Sequence, residues 1–338
     1  TSSWNTVIGY KALSSGTASA NNNTAIGFEA GRYLGDDGTS NHSSFNTIIG
    51  RKAMGGGNTS DATLNTAHLN IAIGHHAVGG STGTGTALTA TKNTALGYAT
   101  MSVIENGANN VGIGYSSLEV LTSGSHNVSM GNHSGDAVTD GSYNVFMGYY
   151  AGSSTTSAQR TIAIGSEALE TGNHTHTGTI AIGSKSLQRL VSGAGNTSVG
   201  YLSSTNLVEG NYNTVLGEKA FDAGQEDSQC VAIGYEALTN ADVSDTGSAV
   251  ATHNTAVGYA SGDVVTTGTK NTLIGSATDP SSNAGTNQTV IGFSATGVSD
   301  NSVTLGDADV TDVYMAEDSG ATVYADKYMS TTMPAFLV

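Results

Sequence analysis

Two prolines, one cysteine, one tryptophan and eleven lysines plus arginines are spread over 338 positions. The lone thiol, Cys230, cannot close an internal disulfide, so stability does not depend on oxidation. Basic residues are outnumbered by 27 acidic ones, and the net charge is −16. That balance argues against nucleic acid and anionic membrane surfaces as partners, since both need clustered Lys and Arg. No apolar run is long enough to cross a bilayer, so membrane insertion is not expected. Helix formers are few, and apolar spacing of three and four does not recur, which excludes amphipathic helices as the building unit. Only 11% of residues are charged, and Gly, Ser, Thr and Asn are abundant. Such a composition fits a disordered chain, but the strictly aliphatic positions described next exclude that for most of the length. There is no initiator Met and no signal peptide. The chain starts almost inside a repeat and stops on Met333-Pro334-Ala335-Phe336-Leu337-Val338, so a processed portion of a longer protein is the expectation.

Glycine is the plentiful residue, with 46 copies, and 17 of them punctuate one motif. Asn23-Thr24-Ala25-Ile26-Gly27-Phe28 is a clean copy. The motif recurs from Gly9 to Gly306, with spacings of 17 or 18 between Gly97 and Gly234. A fixed short period is the mark of a repeat architecture. One residue before the glycine stands Ile, Leu, Val or Met, as in Ile26, Ile113, Met147, Ile164 and Leu216. Three before it stands a β-branched residue. These two positions share a face in a strand and not in a helix, and β-branched side chains suit a pleated strand. Each copy therefore predicts a short strand with an inward aliphatic pair.

The position between that pair holds Ala25, Ala95, Ala163, Ala181 and Ala256, or larger residues such as Ile48 and Phe146. On the same reading it faces outward. A small apolar outer face is either covered by the chain's own loops or packed against identical neighbours. Four before the glycine stands Asn in 12 copies, among them Asn23, Asn110, Asn144 and Asn213. At one per coil these predict a stacked amide ladder. The unvarying glycine (Gly27, Gly114, Gly148, Gly165, Gly217) predicts a positive φ or a close backbone approach. Three after it a small Ala, Ser or Thr would let the coil close, and four after it Leu, Met or Phe would fill the core. Tyr or Phe follows the glycine in nine copies and predicts an aromatic stack at a corner, with a ligand-stacking platform as the functional alternative.

The fold class is thus all-β, a parallel β-solenoid of about 17 coils. At the spacing of adjacent strands this is a rod on the order of 80 Å long. Residues 1–306 form the repeat shaft, with loop insertions near 31–45, 54–69, 78–92 and 238–253. In a solenoid such insertions project from one side. Residues 307–338 lose the pattern and read as a transition toward a further C-terminal module. So narrow a core, with few aromatics, calls for partner chains.

The units at 23–30 and 254–260 resemble the head repeats of trimeric autotransporter adhesins of the YadA type, and equally the repeats of tail-fibre proteins of tailed bacteriophages. The resemblance covers about 300 residues. It implies a left-handed parallel β-roll with three chains side by side, a homotrimer. The period departs from the tighter coils of autotransporter heads. The stretch Asn301–Asp307 with Val310–Met315 resembles the segment that precedes C-terminal modules in phage fibres, which favours the phage reading. The function implied is a structural and adhesive fibre of a virion, touching other tail or baseplate proteins at one end and a host-cell surface glycan or protein at the other. The alternative is an adhesin on a bacterial surface, and a third reading is a glycan-degrading tailspike.

Catalytic constellations are scarce. Asp36-Asp37 and Glu226-Asp227 are adjacent carboxylates and read as solvated turns rather than as an acid and base. No phosphate loop, nucleophile elbow or dinucleotide fingerprint is present, so no enzyme activity and no cofactor are expected. One metal hypothesis stands on His174 and His176, which alternate and on a strand would face one way, giving six imidazoles in a trimer; the pair lies in a coil-to-coil loop, where solvated turn histidines are the alternative. His75-His76 is a weaker pair.

Overall fold

The computed structural model describes residues 4–14, 20–35, 43–55, 66–79, 88–172, 177–242 and 250–314. Large parts of the four insertions, the residues His174 and His176, and the segment from 315 onward lie outside them. The motif forms one three-residue strand per copy, from Thr6–Ile8 to Val303–Leu305. All 17 join in a single sheet in which each strand pairs in parallel with that of the next coil. No helix occurs among the described residues. Register is strict: Val111 lies opposite Val128, Gly112 opposite Ser129 and Ile113 opposite Met130. A second, two-stranded parallel pair, Asp227–Ser228 with Val250–Ala251, adds a small patch on another side.

The parity of the strands is opposite to the sequence expectation. The middle residue of the motif is buried: Ala25, Ile48, Ala72, Phe146, Ala163, Ala181 and Val290 line the core. The aliphatic and β-branched pair on either side points outward, so Ile26, Ile113 and Ile164 are only partly covered and Met147 and Leu216 are exposed. The reason lies in the neighbouring columns. The Asn four before the glycine shares parity with the middle residue, and its ladder has to be inside to be dry. The small residue three after the glycine then closes on that same side, as Ala30, Ala53, Ala151 and Ala220 do.

The corner glycines satisfy both expectations made of them. Gly27, Gly114, Gly148, Gly165 and Gly217 have φ between +133° and +148°. A Cβ on Gly148 would sit 2.5 Å from the carbonyl oxygen of Gly165 in the next coil. No other residue fits that column. Each coil also holds left-handed non-glycine residues, for example Asn109, Ser116 and Leu118 at φ of 59°, 52° and 51°. That conformation costs roughly 1–2 kcal/mol per residue. Here it aims main-chain donors along the rod. Ser116 donates to the Tyr98 carbonyl at 2.9 Å, and Leu118 donates to the Ser134 carbonyl at 3.0 Å.

Core volume is balanced between columns. Phe146 is the largest residue in the strand column and fully buried. It fits because the coils around it carry Gly135 and Gly152, four after their corner glycines, where Leu118 and Leu169 stand in others. A Cβ on Gly135 would meet the Phe146 ring at 2.7 Å. Gly31 makes the same room for Ile48, and Gly262 for Leu273. Seven after the corner glycine a further inward column, Ile104, Leu121, Val138, Leu190 and Leu207, completes the core.

Candidate functional surface

Three sets of side chains decide what this rod can do. The inner one is the amide ladder. Asn23, Asn46, Asn70, Asn93, Asn110, Asn127 and Asn144 stack without a break and are at most 1% exposed. Each Oδ1 accepts the main-chain N–H of the next ladder residue, as Asn110 does from Asn127 at 2.9 Å. Each Nδ2 donates across the coil, as Asn110 does to the Gly124 carbonyl at 2.9 Å. Asn213 continues the pattern toward Cys230, whose N–H donates to its Oδ1 at 2.9 Å. Cys230 is buried, its Sγ lies 2.8 Å from Thr252 Oγ1, and burial pushes its thiol up to about 11.

The outer face of the sheet is the second set. It presents a continuous aliphatic strip over the whole rod, including Leu96, Met130, Met147, Leu216, Ile274 and Ile291, all of them exposed. Charge is absent from both outward columns of this face, which hold Thr, Val, Ile, Leu and Met. Isolated apolar residues on a surface are ordinary, but a contiguous apolar patch of this extent marks an interaction face.

The third set lies just past the glycine corner. Tyr98 and Tyr115 stack with centroids 5.0 Å apart and planes 5° apart. His75 stacks on Tyr98 at 5.0 Å, Tyr10 on Phe28 at 5.4 Å and Tyr235 on Tyr259 at 5.3 Å. The expected corner stack is therefore present. The rings use their faces against each other and show their edges to water. The next position carries ion pairs between coils, Lys185 with Glu167 at 3.5 Å and Lys219 with Glu236 at 3.8 Å.

The metal hypothesis on His174 and His176 falls outside the described residues, as does Asp36-Asp37. Among the described residues no group of three or more His, Cys, Asp or Glu side chains could hold a metal. His75 and His76 pack edge to face at 4.5 Å. Glu226-Asp227 is not a solvated turn. Asp227 is fully buried in its short strand, where its carbonyl accepts from Asn213 Nδ2 at 2.9 Å. The ladder needs an acceptor at that place in the coil, and the chain supplies it with an inward segment. Asp279, missed in the sequence, is pushed up to about 6, first by burial and then by the nearby Asp263. At the C-terminal end Ser294, Thr296, Thr304 and Asp307 help line an open cleft of about 510 Å³. No helix of the described residues is long and apolar enough to cross a membrane. No protein-family model matches the chain, and no curated protein matches its sequence.

Proposed function

We propose that this chain is the shaft of a bacteriophage tail fibre or related virion appendage, and that it works as a homotrimer. The observation that carries this reading is the aliphatic strip along the outer face of the sheet. A single rod leaves that strip in water from end to end. Three rods packed side by side would cover it at roughly 25 cal/mol per Å² of apolar surface removed from water. The product is a stiff spacer that holds host-recognition surfaces away from the particle. Three of its four insertions fall in the first coils, and loops of a solenoid are where recognition is placed. Three copies of each loop per fibre, and several fibres per particle, raise apparent affinity for a host glycan or surface protein without new contacts. The function is mechanical and adhesive and needs no cofactor. Incubated host polysaccharide should keep its size.

Localisation tests the reading against its rival. Antibody raised to the purified shaft should label the tails of virions in immunogold micrographs, and the purified shaft should slow phage adsorption. Labelling of bacterial cell surfaces in an uninfected culture would replace the fibre with an autotransporter-type adhesin.

A further inference from the structure

We propose that Arg51, Lys52, His75 and His76 form a binding site for the oxyanion of an acidic saccharide. The four residues occupy the two positions after the corner glycine in two consecutive coils, so the solenoid itself brings them side by side. Arg51 Nη1 lies 2.6 Å from His75 Nε2, with the guanidinium also over the Phe28 ring at 5.8 Å. Elsewhere this part of the coil carries paired charges: Lys185 meets Glu167 and Lys219 meets Glu236 across neighbouring turns, and His133 meets Asp136 within one turn at 3.0 Å. Here the compensation is partial. Glu29 is bound to Arg32 at 2.6 Å and touches Lys52 at 4.0 Å. Among the described residues no carboxylate pairs with Arg51, His75 or His76. His75 Nδ1 is moreover a buried polar atom with no hydrogen-bond partner among them.

A chain of net charge −16 thus gathers Arg51, Lys52, His75 and His76 around one carboxylate, Glu29, which is already bound to Arg32 at 2.6 Å. An arriving carboxylate or phosphate would be held by Arg51 and Lys52 through charge-assisted hydrogen bonds. The adjoining Tyr98 and Tyr115, each about half exposed, show their phenol edges one coil apart and can meet the hydroxyls of the attached sugar rings. Other charged side chains nearby are Lys11, Glu29 and Arg32. Burial first, and then Arg51 and Lys52, hold His75 below the usual histidine value. His76 is lowered by burial, His75, Lys52 and Arg51. A bound anion reverses that repulsion, so affinity should rise as pH falls. The site lies within one chain and does not depend on where the protein is displayed.

Calorimetric titration of the intact protein tests it, with inorganic phosphate, oligogalacturonate and neutral dextran as probes. The expected result is binding of at least one anion and not of dextran, with oligogalacturonate, whose carboxylates stay ionised throughout, held tighter by threefold or more at pH 5.5 than at 7.5 if it is the anion that binds. Arg51→Gln with His75→Gln should weaken it at least tenfold, whereas Lys185→Gln with Lys219→Gln, which removes two charges elsewhere, should not. If the first pair lowers the melting temperature, Lys52→Gln with His76→Gln takes its place. A preference for phosphate or for oligogalacturonate names the source of the oxyanion. No binding of either anion at either pH overturns the proposal, and so does equal loss in the remote pair.

Discussion

The Oδ1 of Asn110 accepts two hydrogen bonds from Asn127, one from its main-chain nitrogen at 2.9 Å and one from its side-chain amide at 3.0 Å. The relation repeats at each ladder step from Asn23 to Asn144, so every coil fixes the height and rotation of the next. Replacing Asn127 by Ala leaves the Gly141 carbonyl and the Asn144 main-chain N–H without their buried partners. A buried orphan polar group costs about 1–3 kcal/mol. Thermal or denaturant unfolding of Asn127→Ala should show about 2–4 kcal/mol of lost stability. A neutral result would remove the ladder from the account of stability.

Phe146 and Gly152 are a matched pair. Gly152→Ala would add a Cβ at φ of +62°, driven against the Cδ1 and Cε1 edge of the Phe146 ring. Phe146→Ala would leave a cavity and cost about 3–5 kcal/mol. The double variant should lose less stability than the sum of the two single losses, because the alanine methyl enters space the ring has vacated. Strict additivity of the unfolding energies would show that the two sites do not share volume.

Cys230 should behave as an inert thiol. It is buried, hydrogen-bonded near Thr252 and pushed up to about 11, so almost none is thiolate at neutral pH. Iodoacetamide at pH 7.5 should leave the native protein unmodified and alkylate it fully after unfolding. Rapid native labelling, read by intact mass, would contradict the burial of the ladder at that coil.

Asp279 carries a pH dependence with a definite sign. Its folded value is raised to about 6, above the ordinary carboxylate value of 3.8. The stabilising contribution of the protonated form is therefore complete below about pH 3.8 and is lost as pH rises through about 6. Asp279→Asn should match the parent protein near pH 4 and exceed it by about 1–2 kcal/mol at pH 7.5, after allowance for partial solvent screening. Equal stability of the two at both pH values would refute the burial argument.

The period, the strand, the turn glycine and the amide ladder were all legible in the residues, because each depends on local chemistry repeated many times. The parity of the strand was not read correctly, because both of its faces are apolar: Ala163 on one side and Ile162 with Ile164 on the other. Hydrophobicity alone does not separate them. The signal that does is the ladder itself, since Asn110 and Gly112 must share a face if the amide is to be dry. Volume supplies a second signal: Phe146 coincides with Gly135 and Gly152, as an inward column requires. The column of Ile104, Leu121 and Leu190 escaped notice because the same position holds Thr155, Gly172, Gly224 and Ala241 in other coils, so its aliphatic signal is diluted. The balance of Arg51 and His75 escaped as well, since only the stacking of coils brings residues 24 apart in sequence into contact.

The central claim is that the middle residue of each strand faces the core and its neighbours face sister chains. Ala163→Asp and Ile164→Asp test it together, by light scattering and circular dichroism of the purified proteins. The parent should have three times the mass of the 34.0 kDa chain. Ala163→Asp should fail to fold, because it places an unpaired charge inside the coil. Ile164→Asp should keep the β-sheet spectrum of the coil but lose the threefold mass. A parent that is a stable monomer with its aliphatic strip in water, or an Ile164→Asp variant that assembles normally, would contradict the account.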